Sequence, residues 1–157
     1  MELDKKDCMI LNILQDNCRA SFTEIAKKVG LSIDTVTKRV KRMEGVVFYP
    51  KIQIRPRQLG FNHIVEVRVK FSNHSKKEID SLMEFLKDTI RVVEIFKMSG
   101  EWDMSFLVVA KDISDYENIV SQIQERFGEN ISSWSDSTTL KVYKFEKYDL
   151  VKMINCG

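Results

Sequence analysis

The sequence predicts an α+β protein in which three short helices precede a βαββαβ unit. Two patterns of apolar residues support this prediction, and the distribution of charge supports the division into two parts. Apolar residues recur at helical spacing through residues 3–43, and apolar and charged residues alternate from Val65 to Phe71, as in a half-buried strand. Residues 1–60 carry twelve Lys and Arg against seven Asp and Glu, whereas residues 61–157 carry thirteen against sixteen. A basic N-terminal part joined to an acidic C-terminal part indicates that only the first part meets a polyanion.

Three helices are predicted in the N-terminal part. The first covers residues 3–15 with Asp4 as its N-cap, and its apolar face consists of Leu3, Ile10, Leu11 and Leu14. The second begins at the capping-box sequence Ser21-Phe22-Thr23-Glu24 and ends at Gly30, because glycine tolerates the left-handed conformation after a helix. The third begins at Ser32. We expect its inward side to consist of Ile33, Val36, Val40 and Met43.

Two short strands are predicted directly after these helices. Residues 46–54 have an extended pattern with Pro50 at a turn, which predicts a β-hairpin wing. Residues 55–61 are expected to form a linker, because the pattern changes from mostly helical to strand–helix–strand after them. The predicted domains are therefore residues 1–54 and residues 62–157.

The C-terminal part repeats a strand–helix–strand pattern, which predicts a ferredoxin-like βαββαβ domain. The predicted elements are a strand at 65–71, a helix at 76–88, strands at 91–98 and 104–110, a helix ending at Phe127 and a strand at about 137–145. The two middle strands are apolar at adjacent positions, so both faces of the sheet should be covered. Because two helices cover only one face, we expect the other face to meet a second copy in a homodimer.

The spacing of Ala26, Gly30 and Val36 is typical of a helix-turn-helix. In that motif the small alanine lets the two helices cross closely, the glycine makes the turn, and the branched residue packs back on the first helix. The third helix carries four cations away from its apolar stripe, which suits the neutralisation of phosphates. The alternative is an ordinary three-helix bundle with a solvated basic face. The motif and the charge distribution together favour double-stranded promoter DNA as the partner.

The third helix is predicted to contact DNA in two ways. Residues near the N-terminus of a recognition helix enter the major groove, and those predicted to read bases are Asp34, Thr35 and Lys38. Half or more of protein–DNA hydrogen bonds go to the backbone, and the residues predicted to contact phosphates are Arg39, Lys41 and Arg42. Ser32, at the start of the helix, completes the predicted DNA-contacting set.

Several segments resemble the Lrp/AsnC (leucine-responsive, or feast/famine) transcriptional regulators. They are Leu3-Asp4-x-x-Asp7-x-x-Ile10-Leu11, Arg19-Ala20-Ser21, Val29-Gly30-Leu31-Ser32, Arg39-Val40-Lys41-Arg42-Met43-Glu44, Pro56-x-x-Leu59-Gly60-Phe61 and Gly100-x-x-Asp103. The resemblance implies a winged helix-turn-helix joined to a ferredoxin-like domain that senses amino acids. It also implies dimers that often assemble into octamers, with small effectors bound between dimers. A contact with the transcription machinery is a further expectation.

Two of the segments that resemble the family concern the predicted DNA-binding and effector-binding sites. The segment Met43-Glu44-Gly45-Val46 is shorter than its counterpart in the family, which affects the end of the recognition helix and the wing. Gly100-Glu101-Trp102-Asp103 matches the family's effector-binding loop, so these four residues are the predicted effector site. A glycine permits close backbone approach, and a carboxylate receives an α-amino group. A plain β-turn that needs Gly and Asp for its own geometry is an equally weighted alternative.

Two other functions compete with a DNA-binding regulator. Sirohaem decarboxylases resemble the same family but are enzymes, whose site needs several His and Arg around a large apolar cavity. Residues 61–157 contain two His and three Arg, and the basic third helix also disfavours this alternative. The second competitor is a stand-alone small-molecule sensor, whose helix-turn-helix has become a protein-docking module. Residues 32–44 keep a net charge of +2, which disfavours that alternative.

No catalytic residue, metal site or cofactor is predicted. The three cysteines, Cys8, Cys18 and Cys156, lack C-x-x-C spacing, so reduced thiols are expected. The N-terminus is charged where a signal peptide is apolar, and no apolar run approaches the roughly 20 residues that span a membrane. We therefore expect a cytoplasmic protein with no membrane partner.

Overall fold

The computed structural model describes residues 1–72 and 75–154, which form two compact units. The helical unit contains Met1–Ile54 and the segment from Tyr143 onward, and the sheet unit contains Arg55–Val142. The helices are α1 (Lys5–Asp16), α2 (Phe22–Val29), α3 (Ile33–Met43), α4 (Lys76–Asp88), α5 (Ile113–Phe127) and α6 (Leu150–Met153). The strands are β1 (His63–Phe71), β2 (Val92–Lys97), β3 (Met104–Ala110) and β4 (Ile131–Thr138).

The first three helices form where their capping residues and apolar spacing predict. Asp4 and Ser21 each make a reciprocal capping box, and the Ser32 side chain accepts a hydrogen bond from the Thr35 N–H. The apolar faces of the three helices meet in one core, which consists of Ile10, Leu11, Ile25, Ala26, Val29, Val36, Val40 and Met43. Most of the stability of short helices comes from such packing. Because the side chains of α2 and α3 pack together in this core, the core also fixes how the two helices cross.

The predicted β-hairpin wing at residues 46–54 is absent from the structure. The chain instead makes one isolated β-bridge between Glu44 and Phe48, in which the Gly45 N–H donates to the Phe48 carbonyl at 2.9 Å. Phe48 packs against the helical core, so the chain folds back directly after α3. The prediction of a wing was therefore wrong, because the short connection after α3 closes into a turn before a hairpin begins.

Residues 143–154 lie in the helical unit, whereas the sequence pattern placed them in a predicted C-terminal domain of residues 62–157. Leu150 packs against the helical core, and its N–H donates to the Asn12 side chain at 3.0 Å. The Asn12 amide in turn donates to the Asp149 carboxylate at 3.2 Å. Residues 55–61, predicted as a linker, begin the sheet unit with a short 3₁₀ turn at Pro56–Leu59.

The sheet unit has the ferredoxin-like topology that the sequence predicts. Its four antiparallel strands lie in the order β2-β3-β1-β4, with Val67 of β1 facing Phe106 of β3 and Asp136 of β4. Both α4 and α5 pack on one face of this sheet. The residues buried there are Val65, Val67, Val69, Leu82, Leu86, Met104, Phe106, Val108, Ala110, Ile119, Ile123 and Phe127. The opposite face carries the alternate residues of each strand, such as Ile64 and Leu107.

The last strand lies earlier than predicted. It covers Ile131–Thr138 instead of residues 137–145, and Trp134 packs edge-on against Phe106 at 5.9 Å between ring centroids. Because β4 lies at the edge of the sheet, one of its sides pairs with no neighbouring strand. A serine-rich sequence is tolerated at such an edge. Beyond Thr138, the Thr139 N–H still donates to the Ile64 carbonyl of β1 at 2.7 Å, and the Arg57 guanidinium binds the carbonyls of Thr139 and Leu140.

Candidate nucleic-acid interface

The turn between α2 and α3 is built around Gly30. Its φ of 68° lies in the left-handed region, and its N–H donates to the Ala26 carbonyl at 2.9 Å. The Leu31 N–H bonds to the same carbonyl at 3.1 Å. From α1, the Lys6 ammonium donates to the Val29 carbonyl at the end of α2. The spacing of Ala26, Gly30 and Val36 thus gives the predicted helix–turn–helix geometry, and Lys6 is a contributor that the sequence pattern did not reveal.

The inward side of α3 is narrower than predicted. Val36, Val40 and Met43 are buried in the helical core, but Ile33 is 50% exposed. Ile33 is the first residue of the helix, where the side chain has no preceding turn to pack on. An exposed branched side chain beside the predicted base-reading residues suits contact with a thymine methyl group. Ile33 is therefore a candidate DNA contact that the apolar pattern assigned to the core.

Lys38 and Asp34 form an ion pair one turn apart on the outer side of α3. Their side chains are 76% and 73% exposed, and the Lys38 ammonium lies 2.8 Å from the Asp34 carboxylate. Pairs this exposed contribute about 0–1 kcal/mol, so either partner exchanges it for a DNA contact at little cost. The two predicted base-reading charges are accordingly both accessible, as is Lys41 farther along the helix.

The hydroxyls at the start of α3 are hydrogen-bonded to each other. The Ser32 and Thr35 side-chain oxygens lie 2.8 Å apart, and Ser32 also accepts the Thr35 N–H at 3.1 Å. This arrangement fixes the orientation of Thr35, which is half-buried. The helix N-terminus and its hydroxyls together form a surface that favours an anionic oxygen.

Arg39 and Arg42, which were predicted to contact phosphates, both bind acidic residues of α1 and its cap. Arg39 pairs with Asp4 at 2.6 Å and with Asp7 at 2.9 Å, and Arg42 pairs with Asp7 at 2.5 Å. The hydrogen bond from Arg39 to Asp4, followed by that to Asp7, raises the pKa of the guanidinium. The pKa of Asp4 lies below its usual value, first because Asp4 accepts the Asp7 N–H and also because of Arg39. Only Arg42 of the two keeps half of its side chain exposed.

The predicted effector residues form a turn between β2 and β3. Gly100 has a φ of 121°, which favours glycine. The Asp103 carboxylate accepts the Phe71 N–H at 2.8 Å, and the Asp103 N–H donates to the Val69 carbonyl at 3.1 Å. Asp103 therefore ties this turn to the end of β1. Glu101 is exposed and Trp102 is half-buried, so these two side chains remain accessible to a ligand.

The three arginines of residues 61–157 each contact a different partner. Arg68 pairs with Glu66 at 3.1 Å, and Arg91 pairs with Asp115 at 3.0 Å. Arg126 lies over the Phe85 ring, 5.0 Å from its centroid. These separate contacts disfavour the gathering of basic groups that a sirohaem site needs. Within residues 1–72 and 75–154, no group of three or more His, Cys, Asp or Glu side chains is placed to hold a metal ion.

The described residues include two of the three cysteines. Cys8 is buried and Cys18 is exposed, whereas Cys156 lies outside the described residues. Across the part of the chain that the structure describes, none of the helices combines the length and the apolar character that crossing a bilayer requires.

Both halves of the chain match known protein families. Residues 3–44 match the AsnC-type helix-turn-helix domain, and residues 64–147 match the Lrp/AsnC ligand binding domain. An HTH-type transcriptional regulator of Methanocaldococcus jannaschii is 33% identical over 122 residues, which cover 76% of this chain and 80% of that protein. The HTH-type transcriptional regulator LrpA of Pyrococcus horikoshii is 34% identical over 121 residues, which cover 76% of this chain and 84% of LrpA.

One solved structure matches this chain over nearly its whole length. The crystal structure of an AsnC family transcriptional regulator from Agrobacterium tumefaciens matches with a TM-score of 0.84 and 27% sequence identity. The match covers 96% of this chain and 99% of that one. The relatives found by sequence are transcriptional regulators, and they favour this function over the enzyme alternative.

Proposed function

Because this chain belongs to the Lrp/AsnC family of transcriptional regulators, we propose that it binds pseudo-palindromic promoter DNA as a homodimer and that an amino acid or related small molecule modulates the binding. The observation that carries the DNA-binding part is the division of α3. One side buries Val36, Val40 and Met43, and the other side leaves Lys38 and Lys41 exposed. Such a helix is held rigidly by its core while its cations remain available to DNA.

The outer side of α3 supplies three kinds of DNA contact in this proposal. Lys38 donates to guanine O6 or N7, and Asp34 accepts from the cytosine amino group. Thr35 offers either its hydroxyl or its methyl group to a base edge, with Ser32 holding its hydroxyl. Lys41 and the exposed part of Arg42 bind phosphates. Arg39 has two carboxylate partners, and we assign it to holding α3 in place.

The open face of the sheet supports the homodimer. Helices α4 and α5 both pack on the face that carries Val67, and the opposite face carries apolar residues such as Ile64 and Leu107. Pairing two copies through that face covers it. The two recognition helices would then enter successive major grooves about 34–36 Å apart, which predicts half-sites one helical turn apart. Assembly of dimers into octamers and a contact with the transcription machinery extend this proposal.

The turn at Gly100–Asp103 supports a site for the effector. Gly100 carries no side chain to obstruct an approaching ligand, and among the described residues other than its two chain neighbours none lies within 4 Å of the Cβ position there. Glu101 offers a carboxylate to an α-amino group, and Trp102 offers an apolar surface. The Asp103 carboxylate already accepts the Phe71 N–H, so its role in the proposal is to hold the turn.

Titration of the full chain against the DNA upstream of its own gene tests the DNA-binding proposal. Fluorescence anisotropy is measured with that DNA and with a shuffled duplex, for the wild type and for Lys38→Ala combined with Arg42→Ala. We expect preference for the upstream DNA and its loss in the double variant. Lys76→Ala combined with Lys87→Ala removes the same charge from α4, where both residues are exposed, and should leave binding unchanged. Equal affinity of the wild type for both duplexes contradicts the proposal and favours the stand-alone sensor.

Footprinting with and without a panel of amino acids tests the remaining parts together. Protected regions one helical turn apart support the dimer, and light scattering of the free protein measures its size directly. An amino acid that changes the protection pattern in the wild type but not in Glu101→Ala supports the proposed effector site. A response that persists in Glu101→Ala and in Trp102→Ala places the effector elsewhere.

A further inference from the structure

Asp7 is a buried carboxylate whose partners all belong to the DNA-binding machinery or to its own helix cap. Its side chain is 1% exposed. One carboxylate oxygen accepts from Arg39 at 2.9 Å and the other from Arg42 at 2.5 Å. The second oxygen also accepts the Asp4 N–H at 3.2 Å, and Asp4 itself pairs with Arg39. A single side chain of α1 therefore binds two guanidinium groups of the recognition helix.

This ion-pair network adds directional bonds to the constraint that the apolar core imposes on α3. Apolar packing is non-directional, so the contacts of Val36 and Val40 determine which side of α3 is buried but set its rotation less finely than directional bonds do. Guanidinium groups are planar and bind a carboxylate in a fixed geometry. Arg39 and Arg42 lie three residues apart, on one edge of the helix. Fixing both of them to one buried carboxylate sets the rotation of α3 about its own axis.

The network also divides the cations of α3 into two groups. Arg39 is three-quarters buried and has two carboxylate partners, whereas Arg42 has one partner and a half-exposed side chain. One amino group of Arg42 binds Asp7, which leaves the other donors of its guanidinium for a second acceptor. Asp7 therefore orients a side chain that can reach a phosphate while it keeps Arg39 within the protein.

We propose that Asp7 is a positioning residue for DNA recognition, which acts through Arg39 and Arg42 to fix the rotation of α3 and to direct Arg42 to a phosphate. The proposal rests on the proposed function of α3. A rotated recognition helix loses base contacts but keeps its positive charge, so a change in rotation affects specificity more than overall affinity. Loss of Asp7 should therefore reduce the specific affinity while the non-specific, electrostatic affinity is retained or increased.

The test compares the wild type with Asp7→Asn in the full chain. Asparagine keeps the size of the side chain and an oxygen for the Asp4 N–H, but it removes the charge that binds the arginines. Affinities are measured for the upstream DNA and for a shuffled duplex over a series of salt concentrations. We expect the ratio of specific to non-specific affinity to fall about tenfold or more, since a misplaced base contact changes discrimination by about that factor. A purely structural role lowers both affinities in proportion to the folded fraction, which circular dichroism measures.

A charge-matched control and a second variant complete the test. Glu2→Gln removes one negative charge from an exposed position in the same unit and should leave the affinity ratio unchanged. Arg42→Lys keeps the charge but not the planar group, and it should lower the ratio even if Asp7→Asn does not fold. In an Arg42→Ala and Arg39→Ala background, Asp7→Asn should have no further effect on the ratio.

The outcomes separate this proposal from the proposed function. A wild type that prefers its upstream DNA, with the preference intact in a folded Asp7→Asn or in Arg42→Lys, overturns the positioning role alone. A wild type without any preference overturns the proposed function and the positioning role with it.

Discussion

The side-chain amide of Gln15 on α1 exchanges two hydrogen bonds with the main chain of Tyr148. It donates to the Tyr148 carbonyl at 2.9 Å and accepts the Tyr148 N–H at 2.8 Å. Asn12, one turn earlier on the same helix, makes a similar pair of bonds to Asp149 and Leu150. Asp16 adds an ion pair with Lys147. One face of α1 thus binds the last segment of the chain, which makes the helical unit discontinuous in sequence.

Replacing both amides should release this segment and destabilise the helical unit. Each net hydrogen bond contributes about 0.5–1.5 kcal/mol, and partial exposure places Asn12→Ala with Gln15→Ala at about 1–3 kcal/mol in total. Amide hydrogen exchange should show faster opening of α1. Both tryptophans, Trp102 and Trp134, lie in the sheet unit, so their fluorescence should change little. Gln122→Ala on the exposed side of α5 is the matched control, and slower or unchanged exchange in α1 would contradict the expected role of the segment.

Local sequence patterns predicted most of the helices and the sheet topology because these elements depend on interactions between residues close in sequence. The capping box at Ser21 and the left-handed Gly30 depend on a few neighbouring residues, so their effect was visible in the sequence. The binding of residues 148–150 to α1 joins positions more than 130 residues apart, and nothing local indicates it. The polar β4 strand was predicted too late in the sequence for a related reason. Its place at the sheet edge depends on its neighbour β1 and not on its own alternation.

Replacing Gly30 by any other residue should destabilise the protein because of the backbone conformation at this position and not because space is lacking. A Cβ at this position would lie 3.6 Å from the Lys6 ammonium nitrogen, which is an ordinary contact. Its φ of 68° is nevertheless left-handed, and Gly30→Ala should cost about 1–2 kcal/mol of unfolding free energy. Gly128 has a φ of −60° with open space around its Cβ position, so Gly128→Ala should be neutral or stabilising by up to about 1 kcal/mol. Denaturant unfolding of both variants, followed by circular dichroism, checks the contrast. Equal changes in unfolding free energy for the two variants would show that backbone conformation does not determine the cost of replacing these glycines.

The Asp4 carboxylate should make the helical unit less stable in acid. The Asp7 N–H and the Arg39 guanidinium favour its charged form, so the pKa in the folded protein lies below the ordinary value of 3.8. A lowered pKa contributes stability above that ordinary value, and the contribution disappears as the pH falls through the folded pKa. Asp4→Asn keeps an N-cap oxygen but not the charge. Its melting temperature should therefore lie below that of the wild type at pH 7, with the difference shrinking below pH 3.8. Asp80→Asn on α4 controls for charge alone, and a difference that stays constant with pH would exclude the ion pair as its cause.

The exposed side of α3 was predictable from the sequence, but the partners of its individual cations were not. Helical periodicity identified the outer side of α3, and the exposed Lys38 and Lys41 lie there. Periodicity does not report which cations have partners on another helix, so it did not separate Arg39 from Lys41. The burial of Asp7 was also hidden, because a charged residue in the first turn of a helix is usually explained by the helix dipole. The charge pairs between α1 and α3 became apparent only once the helices were placed together.

Substitutions of Asp103 and Glu101 should have different effects, because Asp103 holds the turn and Glu101 is proposed to bind the effector. The Asp103 carboxylate accepts the Phe71 N–H at 2.8 Å, and loss of a hydrogen bond to a charged group costs about 1.5–3 kcal/mol. Asp103→Ala should therefore lower the midpoint of tryptophan-detected unfolding without any ligand, and Asp103→Asn should recover part of the loss because its oxygen still accepts. Glu101 is exposed, so Glu101→Ala should leave the midpoint unchanged while it removes the response of DNA binding to an amino acid. If Asp103→Ala unfolds at the wild-type midpoint, the carboxylate does not hold the turn, and Asp103 joins Glu101 as a side chain available to the ligand.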